Sequence, residues 1–367
     1  MSPNLAQDHS LKNLIMANIL VLGAGVMGSA FAQLLADAGN DVCLVGTHLD
    51  QDIIHSVKNY GLHPNLKVKL PGRIDAFSHE ELDQVMAGPI QLIVFGVNSA
   101  GVEWAVNCIG SRLKTTIPVL MLTKGLAALN NAIEILPHVV QKGLSRFNLV
   151  DIPVAAVGGP CIAGELAARR ESSVVIAHPE SQVLNRLLAI VNTPYYHSRP
   201  STDLIGVEAC AALKNFYTLA IGYAAGQLEK KGEAANGALM HNLAAGLFTQ
   251  AMAEMSYFVN FFGGQPDSVL GLAGAGDLYV TCQAGRNGRM GSLLGKGLRY
   301  KEAKSNHMPN DTVEGAELAL GIGKTLKRWL AEMKIDGNSI PLATKIVEAI
   351  CDNLPLQIPW NLFYQNT

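Results

Sequence analysis

"NILVLGAGVMGSAFAQLLADAGNDVCLVG" runs from Asn18 to Gly46, and its reading decides the fold of the N-terminal half. Residues 18–23 form a short apolar run of the kind a strand needs when both its faces are buried. Gly23-x-Gly25-x-x-Gly28 follows at once, a helical pattern opens inside it, and a second apolar run covers 41–46. Each glycine has its own physical task. Gly23 lets the chain turn tightly off the strand, Gly25 admits a pyrophosphate close to the backbone, and Gly28 lets the helix pack on the sheet. The helix start adds unpaired N–H groups and a partial positive charge for phosphates. In this strand–turn–helix–strand frame the fingerprint reads as a dinucleotide site made by Gly23, Gly25, Val26, Met27 and Gly28.

Working outward, further strands are expected at 91–97, 117–122, 153–158 and 172–177, with helices at 25–39, 99–111 and 179–191 between them. Such alternation predicts an α/β fold, a doubly wound parallel sheet. From about Asp203 the style changes to Ala-, Leu- and Gly-rich helical stretches at 203–229, 237–262, 312–330 and 340–352, with no strand. The polar, proline-containing "YYHSRPSTD" (195–203) marks the change. The expected domains are therefore 16–199, binding the dinucleotide, and 200–360, an all-helical substrate and catalytic domain. Residues 1–15 precede Met16, lack the continuous apolar segment of a signal peptide and are expected to be a disordered extension.

A chain of 367 residues suits two domains. The net charge of -2 makes no electrostatic case for nucleic acid or an anionic membrane, so a phosphate-bearing ligand needs a local site. Six scattered cysteines without a CxxC pair or a histidine cluster imply reduced thiols in a cytosolic protein and no metal. No uninterrupted apolar run reaches about 18 residues, so no membrane span is expected.

The second strand ends "LVGTHLD", where an NAD-preferring fold usually places an acid on the adenosine ribose. Thr47 and His48 stand at the tip and Asp50 comes later. Thr47 and His48 could donate to a 2′-phosphate, but no arginine sits nearby. The stretch permits NAD or NADP and leans slightly towards NADP.

"GVEACAALKNFYTLAIGYAAG" (206–226) carries Lys214 on the stripe Val207, Cys210 or Ala211, Thr218, Ile221 and Ala225. Lysine is rarely buried without a partner, and periodicity leaves two readings open: a snorkelling stem or a desolvated, working amine. Lys124 in "MLTKGL" follows a strand, at the end of the sheet where ligands bind. In "GLAGAGDLYVTCQAGRNGRMGSLLGKG" (271–297), Asp277 either caps a helix or aims at a neighbouring amine. Arg286 and Asn287, set among glycines before a helix, suit a phosphate dianion, though a plain loop has the same composition. Glu314 opens another helix in "DTVEGAELA" (311–319).

"GAGVMG", "TKGL", "VGGPCIAGELA", "GVEACAALKNFYTLAIG", "GLAGAGDLYVTCQAGRNGRMG" and "TVEGAELA" occur in this order. Together they resemble the NAD(P)-dependent glycerol-3-phosphate dehydrogenases from residue 17 to about 355. The resemblance implies a Rossmann domain, an all-helical domain and an active site between them. It further implies a cytoplasmic homodimer that interconverts dihydroxyacetone phosphate and sn-glycerol 3-phosphate for glycerophospholipid synthesis. By the same resemblance Lys214 is the catalytic lysine with Asn215 beside it, and Lys124 touches substrate and cofactor. Gly159 and Cys161 fall near the substrate, Ala163 near the cofactor, and Asp277 and Thr281 match an active-site acid and hydroxyl. Arg286 and Asn287 match a phosphate-binding pair, Arg286 also reaching the cofactor, and Glu314 is a distal cofactor contact. Two positions depart from the family pattern: Cys161 stands where Ser or Thr is usual, and Asn98 where proline is usual. Two other readings share part of the pattern: a dehydrogenase of the same design acting on another small phosphorylated or acidic substrate, and a non-enzymatic NAD(P)-sensing module.

Overall fold

The computed structural model describes residues 16–232 and 236–363, and the expected extension 1–15 lies outside the described residues. Eight strands form one sheet: β1 (Asn18–Leu22), β2 (Asp41–Val45), β3 (Ile74–Phe77), β4 (Leu92–Phe95), β5 (Val119–Met121), β6 (Val154–Gly158), β7 (Ser172–Ala177) and β8 (Tyr196–Ser201). Their spatial order is β3-β2-β1-β4-β5-β6-β7-β8. The first six are parallel, in the order of a doubly wound nucleotide-binding sheet, with the direction of winding reversing between β1 and β4.

Two strands of this sheet escaped the sequence reading, and both are edges. β3 is short and half-exposed, and β8 is the polar stretch expected to be a linker, with Pro200 tolerated because an edge strand has one unpaired side. The sheet is also not wholly parallel, since β7 runs antiparallel to β6 while β8 follows β7 in parallel. The reason lies in the connection. Between β6 and β7 the only helix is Ala163–Ala167, five residues or about 7.5 Å long. That is too short to carry the chain back along a strand of about 17 Å.

The strands alternate their side chains between two apolar layers. Ile19, Val21, Leu44 and Val94 pack against Phe31, Leu34 and Leu35 of helix α1 (Val26–Asp37). Leu20, Leu22, Phe95 and Met121 face the other way, into a cluster continuous with Leu213, Phe216 and Leu219 of helix α2 (Leu204–Lys231). Strands loaded on both faces read as unbroken apolar runs. α2 is long and apolar enough to cross a membrane, yet 89% of its most apolar window is buried inside the protein. It is the axis of the helical part, surrounded on all sides.

Three more helices position the site: α3 (Asp277–Gln283), α4 (Arg286–Gly295) and α5 (Glu314–Ala331). α4 lies directly on α2 through glycines. A Cβ on Gly291 would stand 2.2 Å from the Leu219 carbonyl oxygen, and one on Gly226 would stand 1.9 Å from that of Ser292. The two backbones touch, and the start of α4 is thereby fixed beside α2.

Candidate active site

The glycine loop has the shape its spacing requires. Gly23 adopts φ +110°, and a Cβ there would meet the Gly96 backbone at 2.8 Å. A Cβ on Gly28 would stand 2.1 Å from the Gly23 carbonyl oxygen, whereas nothing lies within 4 Å of the equivalent point on Gly25. Space in front of Gly25 and the uncapped first turn of α1 fit a pyrophosphate.

Two residues hold this loop from behind: Asp50, set aside in the sequence as lying beyond the strand tip, and His63, which the sequence reading passed over. Asp50 Oδ2 accepts from the Thr47 N–H and hydroxyl, each at 2.8 Å, and from the Ala24 N–H at 3.2 Å. Buried His63 accepts the Leu66 N–H on Nδ1 at 3.1 Å, which leaves the proton on Nε2 to donate to the Ala24 carbonyl at 3.1 Å. The tip of β2 therefore does carry a carboxylate, because the chain after Thr47 turns Asp50 back onto it. The Thr47 hydroxyl is spent on Asp50. Asp50→Asn keeps these acceptors and removes the charge that opposes a 2′-phosphate. The ratio of kcat/KM for NADPH over NADH is expected to rise about tenfold. An unmoved ratio in steady-state assays would separate Asp50 from the adenosine ribose.

The catalytic candidates converge. Asp277, 0% exposed, opens α3 directly after the π-helical turn Leu272–Gly276. Its Oδ2 accepts from Lys124 at 2.8 Å, and its Oδ1 accepts from Lys214. Lys124 leaves the sheet after β5 and also donates to the Gly159 carbonyl at 3.2 Å. Lys214 projects from the middle of α2 and is 8% exposed. One carboxylate thus bridges two ammonium groups brought from the sheet and from the helical part.

Their proton affinities split. Burial, and next the charge of Lys124, pull Lys214 down to about 8 against the opposing pull of Asp277. Lys124 is also penalised by burial, but the Asp277 carboxylate outweighs it and raises its pKa. The proton is therefore looser on Lys214. Cys161 lies within electrostatic reach of Lys124, and burial pushes its thiol up to about 11, so it stays neutral.

The remaining expected residues form struts around this core. Asn215 Oδ1 accepts from Asn287 Nδ2 at 3.0 Å, and Asn287 Oδ1 accepts the Gly315 N–H at 2.9 Å. That chain ties α2, α4 and α5 together. Thr281 donates to the Asp277 carbonyl at 2.6 Å, one turn back on α3. Arg286 and Glu314 are paired with each other across the starts of α4 and α5, both about half exposed. Such a pair is worth little and is easily exchanged for a ligand. Ala163 begins the short helix after Gly159 and Cys161. Asn98 accepts the Gly101 N–H at 2.9 Å, so its side chain caps the turn that opens here.

Comparison with known proteins gives a consistent result. Residues 18–184 match the family described as NAD-dependent glycerol-3-phosphate dehydrogenase N-terminus, and 203–359 match its C-terminus. The chain is 35% identical to the NADP(+)-dependent glycerol-3-phosphate dehydrogenase of Archaeoglobus fulgidus, covering 78% of this chain and 82% of that one. It is 32% identical to a glycerol-3-phosphate dehydrogenase [NAD(P)+] of Bifidobacterium longum, covering 83% and 88%. Among solved structures, glycerol-3-phosphate dehydrogenase from Coxiella burnetii superposes with a TM-score of 0.76 at 27% identity, over 93% of this chain and 97% of that one.

Proposed function

The chain belongs to the NAD-dependent glycerol-3-phosphate dehydrogenase family, and from that premise we propose how its own residues carry the reaction. It is an NAD(P)-dependent oxidoreductase that interconverts dihydroxyacetone phosphate and sn-glycerol 3-phosphate. The observation that carries the residue assignment is the Lys124–Asp277–Lys214 bridge. Asp277 is almost wholly enclosed, while the two lysine side chains keep 19% and 10% exposure, so the reactive side of the cluster is the ammonium side.

Gly23, Gly25, Val26, Met27 and Gly28, with Thr47, Ala163 and Glu314, would hold NAD(P)H, which when bound would supply a hydride for the carbonyl carbon. Lys214 gives its proton to the oxygen that becomes the hydroxyl, and takes it back in the oxidative direction. A pKa of about 8 suits both tasks. Lys124 stays charged and stabilises the developing alkoxide in a water-poor setting. Asp277 orients both amines, and the Thr281 hydroxyl keeps its lone pairs for the substrate. Arg286 exchanges Glu314 for the substrate phosphate, with Asn287 and Asn215 bracing the start of α4 beside it. Gly159 and Cys161 line the substrate side.

The division near residue 200, a homodimer, a cytoplasmic location and a role in supplying glycerophospholipid synthesis are parts of the same proposal. They rest on the change of architecture after β8 and on the family relationship. The direct test is substrate discrimination. Purified protein should oxidise NADH or NADPH with dihydroxyacetone phosphate and ignore dihydroxyacetone at similar concentration, because remote phosphate binding holds the carbonyl in place. Comparable kcat/KM for the two ketones would remove the phosphate site from the mechanism.

A further inference from the structure

Lys124 stands on a short bridge between two anchored segments. On one side Thr123 donates to the Val97 carbonyl at 2.6 Å, at the end of the sheet. On the other, only Gly125 separates Lys124 from an antiparallel hairpin, Leu126–Leu129 with Ala132–Ile135. Its register runs from Leu126 opposite Ile135 to Leu129 opposite Ala132. The turn between them, Asn130-Asn131, has φ of +48° and +67°, the left-handed pair that asparagine tolerates in a tight hairpin.

The tip of this hairpin is fastened to the last turn of α5. The Asn131 carbonyl accepts from Arg328 Nη2 at 2.9 Å and from the Trp329 indole N–H at 3.2 Å, and Asn131 Oδ1 accepts from Arg328 Nη1. Glu332, one turn on, stands 3.7 Å from Arg328 Nε on the same helix side. Trp329 is 3% exposed, so its N–H needs a partner, and Asn131 supplies it. Leu126, Ile133 and Ile135 are buried in the same apolar cluster as Trp329. A cleft of about 460 Å³, lined by Ile133, Ile135, Phe261, Phe262 and Trp329, nevertheless leaves the second strand partly unsupported, which puts weight on the tip. α5 has 18 residues and is about 27 Å long. At its start a Cβ on Gly315 would stand 2.2 Å from the Asn215 carbonyl oxygen. One helix therefore touches the neighbour of Lys214 at its start and the hairpin that follows Lys124 at its end.

We propose that Arg328 is a positioning residue for Lys124: with Trp329 it clasps the hairpin at Asn131 and so holds the Lys124 backbone where its ammonium reaches Asp277. A lysine stem has four flexible carbons, so its ammonium stays in one place when the backbone beneath it does. Thr123 fixes one side of that backbone and the clasp fixes the other. Without the clasp the hairpin is free to pivot at Gly125, and the ammonium spends less time on Asp277 and on the Gly159 carbonyl. Arg328 touches none of the reacting atoms. Its effect on turnover rests on the part given to Lys124 in stabilising the alkoxide, whereas the position of Lys124 is read without it.

Arg328→Met keeps the stem and removes both guanidinium bonds to Asn131. NMR of labelled lysine in the whole chain follows exchange of the Lys124 ammonium protons with water, the signal being assigned with Lys124→Met, beside steady-state ketone reduction. Exchange is expected to quicken in folded Arg328→Met, and kcat to fall about tenfold or more, since misplacing a group by an ångström costs up to roughly a hundredfold. The Kd for NAD(P)H should stay at the wild-type value. Arg328→Lys, which keeps one donor, should recover part of both losses. In a Lys124→Met background, Arg328→Met should cost no further activity, because two changes that act through one residue do not add. Unchanged exchange in folded Arg328→Met, even with a lowered melting temperature, would overturn the proposal and leave the clasp a structural fastening. Losses that simply multiply in the double variant would overturn it as well. Quickened exchange with an intact kcat would uphold the clasp and take Lys124 out of the mechanism.

Discussion

Lys214→Met is expected to fold, to bind NAD(P)H as the wild type does, and to lose at least about a hundredfold in kcat, the lower range for removing general acid–base catalysis. Methionine keeps the length and apolar fit of the lysine stem, so α2 can remain packed in the core. The cofactor loop lies at the β1–α1 turn, away from the substituted side chain, and Lys124 still engages Asp277. Stability should rise, with a definite pH signature. The folded pKa of Lys214 is lowered from 10.5 to about 8, so burying the charged amine costs stability. That cost is fully present below about pH 8 and disappears as pH climbs to about 10.5, where the amine is neutral in both states. The gain from methionine should therefore be largest below pH 8 and fade above it. In the wild type, ketone reduction should decline above about pH 8 as the acid form is lost. Thermal melts and steady-state kinetics across pH 6–10 check both parts. A folded mutant turning over near the wild-type rate would make Lys214 a packing residue.

Asp277→Asn should be the most damaging single change to the cluster. The carboxylate engages both ammonium groups from an almost fully enclosed position. Neutralising it leaves two like charges close together without a counter-charge. Breaking a buried pair in this way costs about 3–5 kcal/mol, and the loss should appear as a lowered melting temperature at pH 7. The penalty should shrink as pH rises, because Lys214 can then shed its proton. The same neutralisation removes the acid, so kcat for reduction should fall by roughly two to three orders of magnitude. Wild-type stability at pH 7 with intact turnover would show that the lysines do not depend on Asp277.

Much of this was legible in the chain because local chemistry specified it. The turn at Gly23, the close approach at Gly28 and the open point at Gly25 are demanded by spacing alone, and the structure has them. Strands with both faces loaded announced themselves as apolar runs, whereas β3 and β8 stayed hidden because an edge strand has one solvated side and can even accept Pro200. The antiparallel turn of β7 had no local signal, since it depends on how far a five-residue helix can carry the chain. Asp50 was visible and misjudged, because its distance along the chain said nothing of the turn that folds its carboxylate back onto Thr47 and Ala24.

The sequence by itself determined the nucleotide turn, the alternating architecture and the identity of the residues able to do chemistry, because each depends on neighbours a few positions away. It also left Lys214 undecided between solvent and core. Only the tertiary structure resolved that choice, since proton affinity depends on burial and on charges that the chain delivers from far away. Lys124 arrives from the end of β5, Asp277 from the π-turn before α3, and backbone contact through Gly226 and Gly291 sets the start of α4 beside α2. A lysine in an apolar stripe becomes an acid near neutrality only when its desolvation and its partners are known together.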